Sequence, residues 1–260
     1  MRIALNLYAL RHHLKNDKQI VDVLHQLKRM GYEAIQLSGI PEWTNDRIAL
    51  IASTCREIGL EIAGTHPRIT SLDSITPSII EQHKMLQTHI LGIGSMPEKY
   101  NRQDLTHYQD FILSCHRSAR LLKEQDITLT YHHHAFEFSK IQGLYPMDII
   151  LQTMHQSPLM LEVDVYWLQY AGINPIAFIQ KYYHHIAMLH IKDMKIAITG
   201  HWGTIQQFCP IGEGNIQYRQ LISQVRALDI PWLIIGQDEF YGSDPFEDLR
   251  KCLSFIKSII

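Results

Sequence analysis

Stretches that read as β-strands alternate with stretches that read as helices along the whole 260-residue chain, and the pair recurs eight times. Such alternation argues for a parallel sheet covered by helices. Strand-like Ile3–Leu7 precedes a helix over Lys18–Met30, where Val21, Leu24, Leu27 and Lys28 form one stripe before Gly31 stops it. Ala34–Leu37 leads to a helix over Asp46–Ile58 closed by Gly59, Glu61–Thr65 to a helix after Pro77, and His89–Gly94 to a long helix over Asp104–Glu124. The second half pairs Thr128–His132 with Pro146–His155, and Met160–Asp164 with a helix over Pro175–Tyr183 that opens on proline. Ile186–Ile191 precedes Tyr218–Leu228, and Trp232–Gly236 precedes Pro245–Ile259. Eight βα units without a linker predict one α/β domain over residues 1–260, a closed (βα)8 TIM barrel. The competing open, doubly wound sheet would carry a GxGxxG turn after its first strand, and none is present.

The longest interval expected to be irregular is Ile196–Asn215, which holds His201, Trp202 and the turn Gly212-Glu213-Gly214. It lies after a strand and before a helix, the side on which barrels of this kind place their catalytic groups, so it reads as a loop over the active face. The glycine turn lacks the Lys-Ser/Thr continuation of a phosphate loop.

Composition narrows the partners. A hydrophobic fraction of 46% and a charged fraction of 19% suit a globular chain, and no apolar run reaches the ~18 residues of a membrane span. With a net charge of -2 and no block of Lys or Arg, nucleic acid is not expected as a partner. Cys55, Cys115, Cys209 and Cys252 form no CxxC pair, which points away from a zinc knuckle or redox motif. Met1-Arg2 runs straight into the first strand without a secretory preface, so a cytoplasmic protein is expected.

Three strand ends carry the chemistry: YHHHAFEF (Tyr131–Phe138), LEVDVYW (Leu161–Trp167) and LHIKDM (Leu189–Met194). Glu137, Asp164 and His190 offer the mixed oxygen and nitrogen donors that a hard or borderline divalent cation prefers. Side chains alternate along a strand, so His132 and His134 share a face while His133 points the other way into packing. Asp164 ends an apolar strand, where an unpaired charge is costly; a metal, a helix cap or a salt bridge would each account for it. Glu162 has the same parity one layer deeper and needs a partner, for which Lys192 is one candidate; Lys192 could instead reach a substrate oxygen. His66, before Pro67 and Arg68, reads as a substrate contact or a cap on the barrel mouth. Trp167, with Tyr166 and Tyr170, reads as a wall for a sugar ring or simply as core.

YHHHAFEF, LEVDVYWLQYAG, LHIKDM and IGEGNI together resemble the sugar phosphate isomerase/epimerase family of xylose isomerase-like TIM barrels, which includes inosose dehydratases and ketose epimerases. The resemblance spans essentially the whole chain. It implies a divalent metal, commonly manganese, zinc, magnesium or cobalt, held by a Glu, an Asp, a His and a second Glu from successive strands. Asp164 and His190 match two of these; Glu137 is the expected fifth-strand ligand, with His134 as proton carrier or alternative ligand. Relatives commonly read Val-Glu-Gln-Asp on the eighth strand, whereas this chain has Ile235-Gly236-Gln237-Asp238-Glu239. Gly236 thus stands where the last carboxylate would be; Asp238, of the same parity, or Glu239 would take its place at a bent strand end, or else only three protein ligands remain.

The implied activity is isomerase or epimerase chemistry on a sugar, keto-sugar or inositol derivative, by proton abstraction beside a carbonyl. Glu137 or His134 would move the proton, Lys192 would steady the oxyanion, and His66, Trp167 and Gln237 would contact substrate. A dehydratase or lyase of the same superfamily is the alternative, as is a barrel that binds sugar without turning it over. An endonuclease-like activity would need a tri-metal cluster and a basic groove, against which the charge argues. The expected partner is a small sugar or polyol, and a homo-oligomer stays open.

Overall fold

In the computed structural model, which describes residues 1–70, 72, 75 and 77–260, the first strand pairs with both the second and the last, and this closes the sheet. The elements run β1 (Arg2–Asn6), α1 (Asp17–Met30), β2 (Ala34–Ser38), α2 (Asn45–Ile58), β3 (Glu61–His66), α3 (Pro77–Leu86), β4 (Ile90–Ile93), α4 (Leu105–Lys123), β5 (Thr128–His132) and α5 (Pro146–Thr153). They continue with β6 (Met160–Asp164), α6 (Val165–Tyr170), α7 (Pro175–Tyr182), β7 (Ile186–Ile191), β8 (Asp193–Thr199), β9 (Gly203–Cys209), α8 (Tyr218–Val225), β10 (Trp232–Ile235) and α9 (Pro245–Lys257). The barrel order is β1-β10-β7-β6-β5-β4-β3-β2, with every neighbouring pair parallel. The expected (βα)8 TIM barrel is therefore present.

Strand residues of one parity face the helices. Leu5, Leu37, Leu91, Leu129, Val163, Leu189 and Leu233 are buried in one core with Leu24, Ile51, Phe111, Ile179, Ile222 and Leu249 of the surrounding helices. A separate cluster of Ala4, Ala34, Ala63, Ala187, Met188, Trp232 and Ile234 belongs to the strands alone. Small side chains suit the crowded interior of an eight-stranded barrel. Polar side chains cap most of the helices: Asn16 accepts from the Gln19 amide, Thr44 from Arg47, and Asn174 from Ala177. Gly31 and Gly59 close α1 and α2 in the left-handed conformation, as the sequence pattern implies.

The interval expected to be irregular is largely ordered. β8 and β9 pair as an antiparallel hairpin from Asp193↔Cys209 to Thr199↔Gly203. Apolar residues lie on both of its exposed faces, Ile196 and Ile198 on one and Ile205 on the other, so no inside-outside alternation marks it in the sequence. The glycine turn after β9 is organised by Asp193: its Oδ2 accepts from the amides of Gly212 (2.9 Å) and Gly214 (3.1 Å), and its Oδ1 from Met194 (2.8 Å) and Ile216 (3.2 Å). Those amides serve an internal carboxylate. Among the described residues, no helix is long and apolar enough to cross a membrane.

Candidate metal centre

Parallel register brings the polar strand ends to one level. Asp164 on β6 pairs with His190 on β7, and His190 pairs with Ile234 on β10. His132 on β5 pairs with Glu162 on β6. These side chains share the inward parity, so the barrel interior becomes polar toward its C-terminal end.

Glu162 is the hub of the deeper layer and is wholly buried. Its Oε2 accepts from His66 Nε2 (2.7 Å), Gln36 Nε2 (2.9 Å) and His190 Nε2 (3.0 Å), and its Oε1 accepts from the Thr130 hydroxyl. Asn6 in turn donates to Gln36 Oε1 at 3.1 Å. Burial alone would raise the Glu162 pKa, but His66 and His190 beside it hold it well below the usual carboxylate range. Lys192, the partner considered from parity, is instead engaged one layer higher with Asp164 and Asp238.

That upper layer has the composition of a cation site. One ligand atom from each of His132, Asp164 and His190 lies within 4.8 Å of the others, and all three residues are buried. Asp164 divides its oxygens: Oδ1 caps α6 through the amides of Tyr166 (2.9 Å) and Trp167 (3.3 Å), while Oδ2 lies 3.1 Å from both His132 Nε2 and Lys192 Nζ. The helix cap weighed from sequence is thus made by Oδ1 alone, which leaves Oδ2 to the neighbouring side chains. Burial would raise the Asp164 pKa, yet the neighbouring ammonium and the His132 contact hold it well below its usual value.

The imidazoles point the same way. His132 Nε2 lies 3.1 Å from Asp164 Oδ2 and Nδ1 3.2 Å from the Gly94 carbonyl; the tautomer that donates to Gly94 would turn the Nε2 lone pair toward a cation shared with Asp164. His190 donates Nε2–H to Glu162, and its Nδ1 is buried without a hydrogen-bond partner. Burial lowers the pKa of both rings, His132 to about 3, so they stay neutral and able to ligate. A ligand atom of each ring and a carboxylate oxygen converge there, and the Glu162–His190 pair has the carboxylate–histidine arrangement that would orient a metal-bound imidazole. The residues present therefore fit a divalent ion with three protein ligands.

Other residues singled out from sequence lie differently. Glu137 is not brought to this group: the chain turns after His134 and folds its carboxylate against the Tyr131 hydroxyl and the His134 amide, 2.8 Å away. Tyr131 has outward parity and packs on Phe111 of α4, so Glu137 is drawn to the outer side of β5. His132 is the fifth-strand residue beside Asp164, and its shared parity with His134 was the available signal. Gln237 is likewise turned outward, donating to Asp248 Oδ2 on α9 at 3.0 Å, because Gly236 takes the inward position. Asp238 meets Lys192 Nζ at 2.9 Å, outside the group of three. His133 packs on Phe138 and Phe178, as alternation implies, and its Nε2 accepts from the Asp164 amide at 3.1 Å. Gln36 and Thr130, which anchor Glu162, carry no sequence signal of their own.

Above the centre opens a cavity of about 920 Å³, lined by Asn6, His66, His132, His134, Trp167, Lys192 and Asp238 among others. His134 presents a buried, unpartnered Nδ1 and sits 5.3 Å, ring to ring, from Trp167. Arg11 closes one rim, bonding the Asp238 carbonyl (2.7 Å) and Glu239 (2.6 Å).

A closed parallel barrel with histidines and carboxylates gathered at the C-terminal ends of its strands defines the class: a (βα)8 barrel with a polar centre on that face. The sequence model of the xylose isomerase-like TIM barrel family matches residues 24–259, and the chain belongs to that family. An inosose dehydratase from Clostridium beijerinckii is 30% identical over 150 residues, which cover 53% of this chain and 50% of that protein. A second, from Clostridium tetani, is 25% identical over 58% of this chain and 54% of its own. The chain thus spans about half the length of these relatives. Among solved structures, a sugar phosphate isomerase/epimerase from Parabacteroides distasonis superposes with a TM-score of 0.78 at 19% identity, covering 98% of this chain and 97% of that one. A xylose isomerase-like barrel from Mycobacterium smegmatis, in complex with magnesium, gives 0.74 at 15% identity, covering 99% and 96%.

Proposed function

We propose that this protein is a divalent-metal-assisted enzyme that removes a proton beside a carbonyl of a sugar, keto-sugar or inositol derivative. The observation that carries this reading is the convergence of His132, Asp164 and His190 beneath the cavity. An ion held there would supply Lewis acidity toward adjacent carbonyl and hydroxyl oxygens. His134, at the cavity wall with Nδ1 free of protein partners, would move the proton. Lys192, kept charged by Asp164 and Asp238 against the cost of its burial, is placed to donate to a developing oxyanion. Trp167 offers a flat apolar wall beside both.

Isomerisation or epimerisation is the reading carried by the family resemblance. One observation favours elimination of water instead: position 236 carries no carboxylate to return a proton on the opposite face, and an ammonium donor stands there, able to bond a leaving hydroxyl. The inosose dehydratases among the relatives accord with that. The test is incubation with keto-sugars and ketocyclitols in D2O with Mn2+, followed by NMR and mass spectrometry. Deuterium entering next to the carbonyl supports proton abstraction, and a product lighter by one water selects dehydration. Sugar binding without either would replace the enzyme with a binding barrel.

A further inference from the structure

The fourth corner of the centre is filled by a side chain. Gly236 follows β10 level with Lys192, and a Cβ built on it would lie 3.0 Å from Lys192 Cε and 3.3 Å from Cγ. The lysine stem therefore runs through the volume that any side chain at 236 would need. Its ammonium ends 3.1 Å from Asp164 Oδ2, the oxygen that also faces His132, and 2.9 Å from Asp238 Oδ2.

We infer that Lys192 is a resident cation that competes with a divalent ion for Asp164, that Gly236 is the positioning residue that admits it, and that Asp238 is the berth to which the ammonium withdraws. The inference rests on the metal reading given above. Its physical basis is that one carboxylate oxygen cannot serve an ammonium and a divalent ion at full strength in the same place, and like charges this close repel. With Asp238 on its far side, Lys192 need only turn about the end of its stem to release Asp164. The centre would then bind its ion less tightly than one with a fourth carboxylate, and loading would be coupled to movement of the same ammonium that meets the substrate oxygen.

Calorimetric titration with Mn2+ alone, on the wild-type chain, Lys192→Met and Gly236→Ala, tests this. Removing the competitor tightens Mn2+ binding by about tenfold or more in Lys192→Met. Gly236→Ala leaves every charge in place but presses a methyl group on the stem; it also tightens binding, which a simple through-space charge effect would not produce, and it decides the matter if Lys192→Met does not fold. Wild-type binding that neither substitution tightens overturns the competition and leaves the metal centre standing. No Mn2+ binding by any of the three overturns the metal centre, and the competition with it.

Discussion

Glu162 Oε2 and His190 Nε2 meet at 3.0 Å in a fully buried contact, and this bond fixes the orientation of the imidazole. Glu162→Gln is expected to weaken Mn2+ binding by roughly 10- to 100-fold, as loss of such outer partners does. The stability cost should be about 1 to 3 kcal/mol, since His66 and Gln36 lose the same charged acceptor. Titration calorimetry and urea unfolding read the two effects, and an unchanged affinity would remove Glu162 from its orienting role.

Asp164 caps α6 with one oxygen and offers the other to the proposed metal centre, so two substitutions separate the two duties. Asp164→Ala and Asp164→Asn should each bring bound metal from near-stoichiometric to a small fraction, measured by elemental analysis after dialysis. Asn keeps an oxygen for the amides of Tyr166 and Trp167, so it should be more stable than Ala by about 1 kcal/mol, the worth of a cap. Retention of metal by the Ala variant would exclude this centre.

Glu137 tests the placement outside the metal group. Burial raises its pKa from 4.5 to about 7, outweighing the hydrogen bonds from Tyr131 and the His134 amide. The folded form keeps a proton that the unfolded chain gives up, so its contribution to stability is lost as pH rises from about 4.5 through about 7. Glu137→Gln should gain on the wild type across that window, by at most about 3 kcal/mol, while Mn2+ affinity stays nearly unchanged. A collapse of affinity would return Glu137 to the ligand set.

Histidines give the opposite slope. Burial lowers His83 to about 4, although the bond to the Ile79 carbonyl opposes it, and Thr65 takes up its other nitrogen at 2.7 Å. An unfolded histidine protonates near 6.5 and this one does not, so its stability contribution, complete above 6.5, is lost as pH falls toward 4. His83→Gln should flatten that acid loss, narrowing the gap to the wild type by up to about 3 kcal/mol near pH 4 in urea unfolding. An unchanged acid limb would mean that His83 titrates normally.

Gly92 lies where two parts of the hub come closest. A Cβ there would sit 2.4 Å from His66 Cδ2 and 2.5 Å from Glu162 Oε1, and both partners are held by their own bonds. Gly92→Ala should cost about 1 to 3 kcal/mol of stability by overpacking and weaken Mn2+ binding as Glu162 shifts. A variant of full stability and affinity would show that the hub can yield.

Asp164, His190 and His66 could be picked out from sequence because each is a polar residue ending an apolar strand, where burial demands a reason. Glu137 lies outside the group of three because its segment is a turn, and turns do not transmit strand parity: Phe136–Phe138 forms a tight 3-10 turn that swings the carboxylate behind β5. The β8–β9 hairpin escaped because it is solvated on both sides, so nothing imposes the alternation by which strands are recognised.

Local periodicity and helix-stop chemistry were enough to specify eight βα units and a barrel, since hydrophobic patterning acts between near neighbours and is written along the chain. Which donors meet was decided by tertiary structure. Residues far apart in sequence come within reach of one another only after parallel register sets Asp164 level with His190 and a shared face adds His132. The same closure sets Lys192 against the space left by Gly236, a relationship between two strands that neither strand states alone.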